Sequence, residues 1–341
     1  MEKINQNNND KKNIKKPIIF HYSGYNKETL LERLEQCAKV SDSLLILEMY
    51  RVDLNLAKKA YSIVGNRLRI RPIRGQTRKR TGTNDYPYYT YQDILKSEEI
   101  INTYIRATDD YLDKDGDKKS LSPLEKFIVA YILTIKFAKY EDDMEKVRRN
   151  KQYHEERSVY EIVRRKKNKK MVCVGYVNLL KEFLYRMGIT TTAVVGFDPF
   201  ELLTSTGEVN LGHVRLLIRL IDPKYNVDAV YISDPTYDEN GLTQTIIKHM
   251  LMSHDESMAL NPEYEIDLKS WNGRNKDHKW EIDEDFSETI FPFEKFNIPI
   301  SQDVIAKAFL AVEHFFDKHM KMVDNNGYDI LEYMIQLRDL I

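Results

Sequence analysis

The sequence predicts an α+β protein, on three observations. Residues 26–64 and 91–140 carry apolar side chains largely at helical spacing. After Lys170 the texture changes to one helix followed by the β-rich runs TTTAVVGF, HVRLLIRLID and DAVYISDPT. From Ser301 to Met322 helical spacing returns. Helices flanking a mixed core are one of the stable ways to bury the apolar faces of both element types.

Residues 1–16 are polar and low in complexity, which predicts a disordered tail without the apolar stretch of a secretory signal. Residues 17–115 are expected to form a mainly helical N-terminal region. Within it Leu30, Leu31, Leu34, Cys37 and Ala38 share a helix face, and Leu44 to Leu56 continues in similar style. Cys37 on that stripe reads as a buried structural residue. From Arg67 to Tyr91 the pattern breaks into a basic, then Gly-, Thr- and Tyr-rich stretch with Pro72 and Pro87, which reads as a loop or irregular ribbon. Helices are expected again over Tyr91–Tyr111 and Pro123–Tyr140. Ser122, Pro123 and Glu125 supply a cap, a proline at the first helical position and an acid in the first turn. Residues 116–290 are expected to form the core, and 291–341 a C-terminal helical extension.

Bulk numbers narrow the function. The 341 residues are 42% hydrophobic, enough for a sizeable core. Lys plus Arg (52) and Asp plus Glu (53) nearly cancel, so no global charge demands nucleic acid or an anionic membrane. Two cysteines, Cys37 and Cys173, make neither a disulfide framework nor a zinc cluster and suit a reducing compartment. No run reaches the ~18 apolar residues of a membrane span. A cytoplasmic location is expected, with no membrane partner, no metal and no cofactor; export by another route need not leave a signal.

The chemistry gathers around Cys173. Val177, Leu180, Phe183, Leu184 and Met187 recur at helical spacing and Gly188 stops the run, so Cys173 opens an amphipathic helix. There the free N–H groups and the positive end of the dipole favour thiolate over thiol. His213 begins an alternating run in which Val214, Leu216, Ile218 and Leu220 face one way and His213, Arg215, Leu217 and Arg219 the other. A second strand, Asp228 to Ser233, leads to Asp234 and Pro235. Positions 213 and 234 lie equidistant from the Pro223–Lys224 bond. An antiparallel hairpin would therefore set His213 and Asp234 opposite each other on one face, with Cβ atoms about 5 Å apart. The carboxylate would then fix the imidazole tautomer and leave the other nitrogen for the thiol.

These residues together resemble the transglutaminase-like superfamily of papain-like cysteine enzymes. The resemblance is carried by Cys173, Gly175 and Tyr176 on the helix; Gly188, Ile189, Val195, Gly196 and Phe197 after it; His213 and Val214; and Asp234, Pro235 and Thr236. LSPLEKFIVAYILTIKFAKYED resembles the helix preceding the family's active-site segment, and the whole covers about residues 120–240. The chain departs from the pattern in Lys170-Met171-Val172 before Cys173, where a glycine is frequent, and in Val214, where an aromatic residue is frequent.

The resemblance implies a papain-like core, with the nucleophile helix packed on an antiparallel sheet, and acyl transfer through a thioester. Cys173 would be nucleophile, His213 base and Asp234 orienter. The Cys173 backbone N–H is the first oxyanion donor; a side chain upstream would be the second, Tyr140 by position, with Tyr160 as the alternative. The expected function is peptidase or amidase action on a protein or peptide substrate. A glutamine transglutaminase or deamidase, and an inactive binding or scaffold protein, are the rival readings.

Other motifs read as structural. Asp113, Asp115 and Asp117 are spaced like a calcium loop, but Gly116 falls at the fourth position and Leu124 at the twelfth, which predicts a solvated turn. His314 and His319 are five apart, off-face on a helix and poor for a shared metal. The basic stretches 67–80 and 164–170 come with no aromatic platform, so nucleic acid is not expected. Arg164, Arg165, Lys166, Lys167, Lys169 and Lys170 lead into Cys173 and would suit an acidic partner surface.

Overall fold

A computed structural model describes residues 16–24, 26–73, 87–109, 111–112, 116–141, 158–164, 170–196, 213–240, 247–260 and 293–319. The chain divides into two compact units, Met1–Arg74 with Asp85–Leu95, and Gly75–Asn84 with Lys96–Ile341. One boundary, between Leu95 and Lys96, falls within α3 (Tyr91–Asp109).

The first unit alternates strand and helix: β1 (Ile18–Tyr22), α1 (Lys27–Val40), β2 (Leu45–Met49), α2 (Leu54–Val64) and β3 (Leu68–Pro72). The strands run parallel in the order β1-β2-β3. This corrects the helical reading of Leu44 to Leu56, part of which is β2. Every residue of β2 is buried, so LILEM shows no alternation of apolar and polar positions, and a strand covered on both faces looks like any short apolar run. On α1, Leu30 and Leu34 are buried, whereas Cys37 is only partly so. Asp53 caps α2 by accepting the Leu56 N–H at 2.9 Å. The basic residues here serve the unit itself. Arg67 donates to the carbonyls of Ala38 and Ser41, and Arg71, 3% exposed, donates to buried Glu48 at 3.1 Å.

The second unit holds β4 (Tyr111–Leu112), β5 (Lys118–Lys119), α4 (Pro123–Phe137), β6 (Lys139–Tyr140), α5 (Val159–Arg164) and β7 (Lys170–Met171). These are followed by α6 (Cys173–Arg186), β8 (Thr190–Gly196), β9 (His213–Asp222) and β10 (Val227–Ser233). Its further described helices are α7 (Pro235–Asn240), α8 (His254–Leu260) and α9 (Gln302–His319). Three antiparallel strands form its main sheet, with β9 central between β8 and β10. The Cys173 helix, α6, packs on β8 and β9 and against α4, and α9 packs on α4. Phe127, Ile128, Tyr131, Leu180, Phe183, Leu184, Leu216, Ile218, Val312 and Phe315 belong to the core so formed. β4 and β5 pair across the turn that holds Gly116, whose φ of 84° suits glycine; Asp113 and Asp115 lie outside the described residues.

The start of α4 is pinned to the end of β9. Ser122 and Glu125 form a reciprocal capping box. Fully buried Asp222 accepts from the Ser122 hydroxyl at 2.6 Å, the Leu124 N–H at 2.8 Å and the Lys224 N–H at 2.9 Å. Among the described residues no helix is long and apolar enough to cross a membrane. Among them, too, no group of three or more His, Cys, Asp or Glu residues is arranged to hold a metal.

Candidate active site

Cys173 stands where the chain turns from β7 into α6. Val172 is extended (φ −104°, ψ 174°) and supplies no side-chain cap; its carbonyl instead accepts the Gly175 N–H at 2.8 Å and the Tyr176 N–H at 3.2 Å. The first N–H groups of the helix, that of Cys173 among them, have no intrahelical acceptor and point toward whatever lies at the helix mouth. Both ends of α6 are fastened. Near its start the buried Tyr176 hydroxyl donates to the Ala138 carbonyl at 2.8 Å. At its end Arg186 grips Glu98 with both terminal nitrogens at 2.8 Å and Glu182 through Nε at 2.7 Å. These bonds restrain both ends of the helix at whose mouth the sulfur sits.

The β9–β10 hairpin brings the other two residues in. Its register pairs Val227 with Asp222 and Ser233 with Leu216. The turn is thus centred on the Lys224–Tyr225 bond, one residue later than the symmetric expectation, with Asn226 in the left-handed region (φ 53°). The cause lies in Asp222, held in the ladder by its bonds to α4 and to the Lys224 N–H. One further step of this register sets Asp234 opposite Arg215 and diagonal to His213. A displacement of two residues is one pleat period, so His213 and Asp234 still share a face. The His213 Nε2–H donates to Asp234 Oδ2 at 2.6 Å. Nδ1 is the ring nitrogen that this bond does not use, and the imidazole and the Val214 N–H both act on the Cys173 sulfur.

The electrostatics follow from this closeness. Burial pushes the Cys173 thiol up, but the hydrogen bond and charge of His213 and the Val214 N–H bring it below its ordinary value, against repulsion from Asp234. Burial lowers His213, yet the charge and hydrogen bond of Asp234, then those of Cys173, hold it well above its ordinary value. Burial raises the fully enclosed Asp234, but His213, then Arg215 and His249, keep it below the ordinary carboxylate range. All three shifts favour the charged forms: thiolate, imidazolium and carboxylate.

Two neighbours were not expected from the sequence. Arg215, 3% exposed, sets Nε 3.4 Å from Asp234 Oδ2. Tyr237, more than a third exposed, places its ring between two imidazoles, 5.0 Å from His213 and 5.1 Å from His249. His249 is held by Asp238 at 3.0 Å, and Asp238 accepts from the Tyr131 hydroxyl at 2.6 Å. For Arg215 the signal was present, since alternation put it on the face of His213.

The remaining expected residues fall as follows. Tyr140 is partly buried on β6, paired with Met171 on β7 two residues before Cys173. Tyr160, 3% exposed on α5, donates its hydroxyl to Glu98 at 3.1 Å, inside the Arg186 network; it is therefore engaged with a carboxylate rather than offered to a reacting carbonyl. Of the basic run before Cys173, Arg164 pairs with Glu161 at 2.7 Å and Lys170 with buried Glu141 at 2.8 Å. Arg165, Lys166, Lys167 and Lys169 lie outside the described residues. His314 packs its ring 6.1 Å from Tyr111.

No family model matches the sequence, and no curated protein matches it. Among solved structures, one described as "Crystal structure of a TGase" is similar over 43% of this chain and 33% of that chain, at 14% identity and a TM-score of 0.30. At that depth and coverage the likeness assigns no activity.

Proposed function

We propose that the protein is a cysteine-dependent acyl-transfer enzyme of the papain-like, transglutaminase-like kind, hydrolysing a peptide or carboxamide bond through a thioester. The observation that carries this reading is the convergence of Cys173 at the mouth of α6 with a His213 imidazole bonded to buried Asp234 at 2.6 Å. A structural cysteine needs neither an imidazole partner nor a helix mouth.

The Cys173 thiolate attacks the carbonyl carbon, and the resulting oxyanion takes the Cys173 N–H, with Tyr140 as the second donor. Imidazolium His213 gives its Nδ1 proton to the departing nitrogen as the C–N bond breaks, leaving a thioester and free amine. Neutral His213 then takes a proton from water, whose oxygen attacks the thioester. Expulsion of the thiolate releases the acid and restores the ion pair. Asp234 holds the ring through Nε2 in both halves of the cycle.

The test is mass spectrometry of a peptide library incubated with wild-type protein and with Cys173→Ala. Cleaved peptides with the wild type alone support hydrolysis. A gain of one mass unit at glutamine, or cross-linked pairs, would move the reading to deamidation or amine transfer. Identical spectra with both proteins would contradict an enzymatic role.

A further inference from the structure

We infer that Arg215 is a positioning residue of this site: from the face of β9 that carries His213, and anchored to α8 by its far end, it sets a guanidinium charge beside the Asp234 oxygen that His213 uses. The inference rests on the reading of Cys173, His213 and Asp234 given above. Asp234 Oδ2 meets two cationic groups, His213 Nε2 at 2.6 Å and Arg215 Nε at 3.4 Å. Its other oxygen accepts the Thr236 N–H at 3.2 Å. The far end of the guanidinium donates through Nη1 to Ser257 Oγ at 2.9 Å, and Ser257 is itself 2% exposed on α8. Arg215 thus spans from the carboxylate to a separate helix, a two-ended reach that a planar guanidinium has and an ammonium lacks.

Charge balance gives the arrangement a purpose. The ionisable and charged groups acting on Asp234 are His213 and Arg215 from β9, Cys173 from α6, and His249, which Asp238 holds. With thiolate, imidazolium, carboxylate and guanidinium in place, the four central charges sum to zero in a largely buried site. Without Arg215 the sum is −1. A buried excess charge is relieved by taking up a proton, and the thiolate, which holds its charge only through neighbours, is where that proton goes. Arg215 therefore keeps Cys173 ionised at lower pH although it need not touch the sulfur.

The test is the pH profile of Cys173 alkylation by iodoacetamide, followed on the full-length protein by peptide mass spectrometry, in wild type, Arg215→Met, Arg215→Lys and Ser257→Ala. In Arg215→Met the acid limb is expected to move up by about one pH unit, making alkylation on that limb about tenfold slower. Arg215→Lys, which keeps the charge, should restore most of that loss. Ser257→Ala, which loosens one end of the guanidinium, should shift the limb the same way by less. A folded Arg215→Met with the wild-type profile would overturn the inference. If Arg215→Met does not fold, an unchanged profile in Ser257→Ala overturns it and a shifted one supports it. A wild type whose Cys173 titrates like an ordinary thiol would instead sink the catalytic reading itself.

Discussion

Asp234 stands diagonal to His213 across the β9–β10 hairpin, not opposite it, and closes on the imidazole at 2.6 Å. The position opposite Asp234 belongs to Arg215, so the carboxylate takes a cation from each of two successive residues on one face of β9. The hairpin thereby does more than bring His213 and Asp234 together. On the proposed reading it also biases the charge state of the Cys173 sulfur.

Loss of the carboxylate should be severe. Asp234→Asn keeps the shape but leaves the His213 tautomer unfixed and the imidazolium uncompensated, and should lower kcat by roughly 10⁴-fold with little change in KM. Steady-state kinetics on a substrate from the peptide library checks this.

The pH dependence of turnover follows from the two opposed shifts. Cys173 lies below its ordinary value, so activity is lost as pH falls through that lowered pKa, under the ~8.5 of a free thiol. His213 lies well above its ordinary value, so the proton needed by the leaving group is lost as pH rises through that raised pKa, above ~6.5. A kcat/KM profile should show a plateau between these limbs. An activity optimum reached only above both ordinary values would contradict the ion pair.

Two tyrosines should behave differently. Tyr140→Phe removes the proposed oxyanion donor and should lower kcat by about 10²-fold without a matching loss of stability. Tyr160→Phe removes a hydroxyl bonded to Glu98 and should cost about 1 kcal/mol of stability while leaving kcat in place. Kinetics and thermal melts on both variants separate the roles.

Arg186→Met leaves Glu98 and Glu182, each about 5% exposed, without the cation that joins them. It should destabilise the protein by roughly 3–5 kcal/mol, read from denaturant unfolding. Asp222→Ala, which strands two donors at the start of α4 and one in the hairpin turn, should cost about 3 kcal/mol by the same measurement.

How much of this was legible depended on whether the decisive interactions are local. The α4 start could be read because Ser122, Pro123 and Glu125 are neighbours in sequence. The α6 start could be read because its apolar spacing ends at Cys173. The shared face of His213 and Asp234 survived an inexact register because parity is all that a face requires. By contrast, β2 was hidden, since a strand buried on both faces carries no period of two. The hairpin centre was misjudged because Asp222 is held by α4, almost a hundred residues upstream. The placement of Arg215 between Asp234 and Ser257 depends on that register and on α8, neither of which the local pattern around His213 contains.

The most direct test of the central claim compares iodoacetamide labelling of Cys173 and Cys37 across pH in wild type and His213→Ala. An ion-paired sulfur predicts that Cys173 labels ahead of Cys37 at neutral pH, with a midpoint below ~8.5 that rises when the imidazole is removed. Matching profiles for the two cysteines, unaltered by loss of His213, would contradict it.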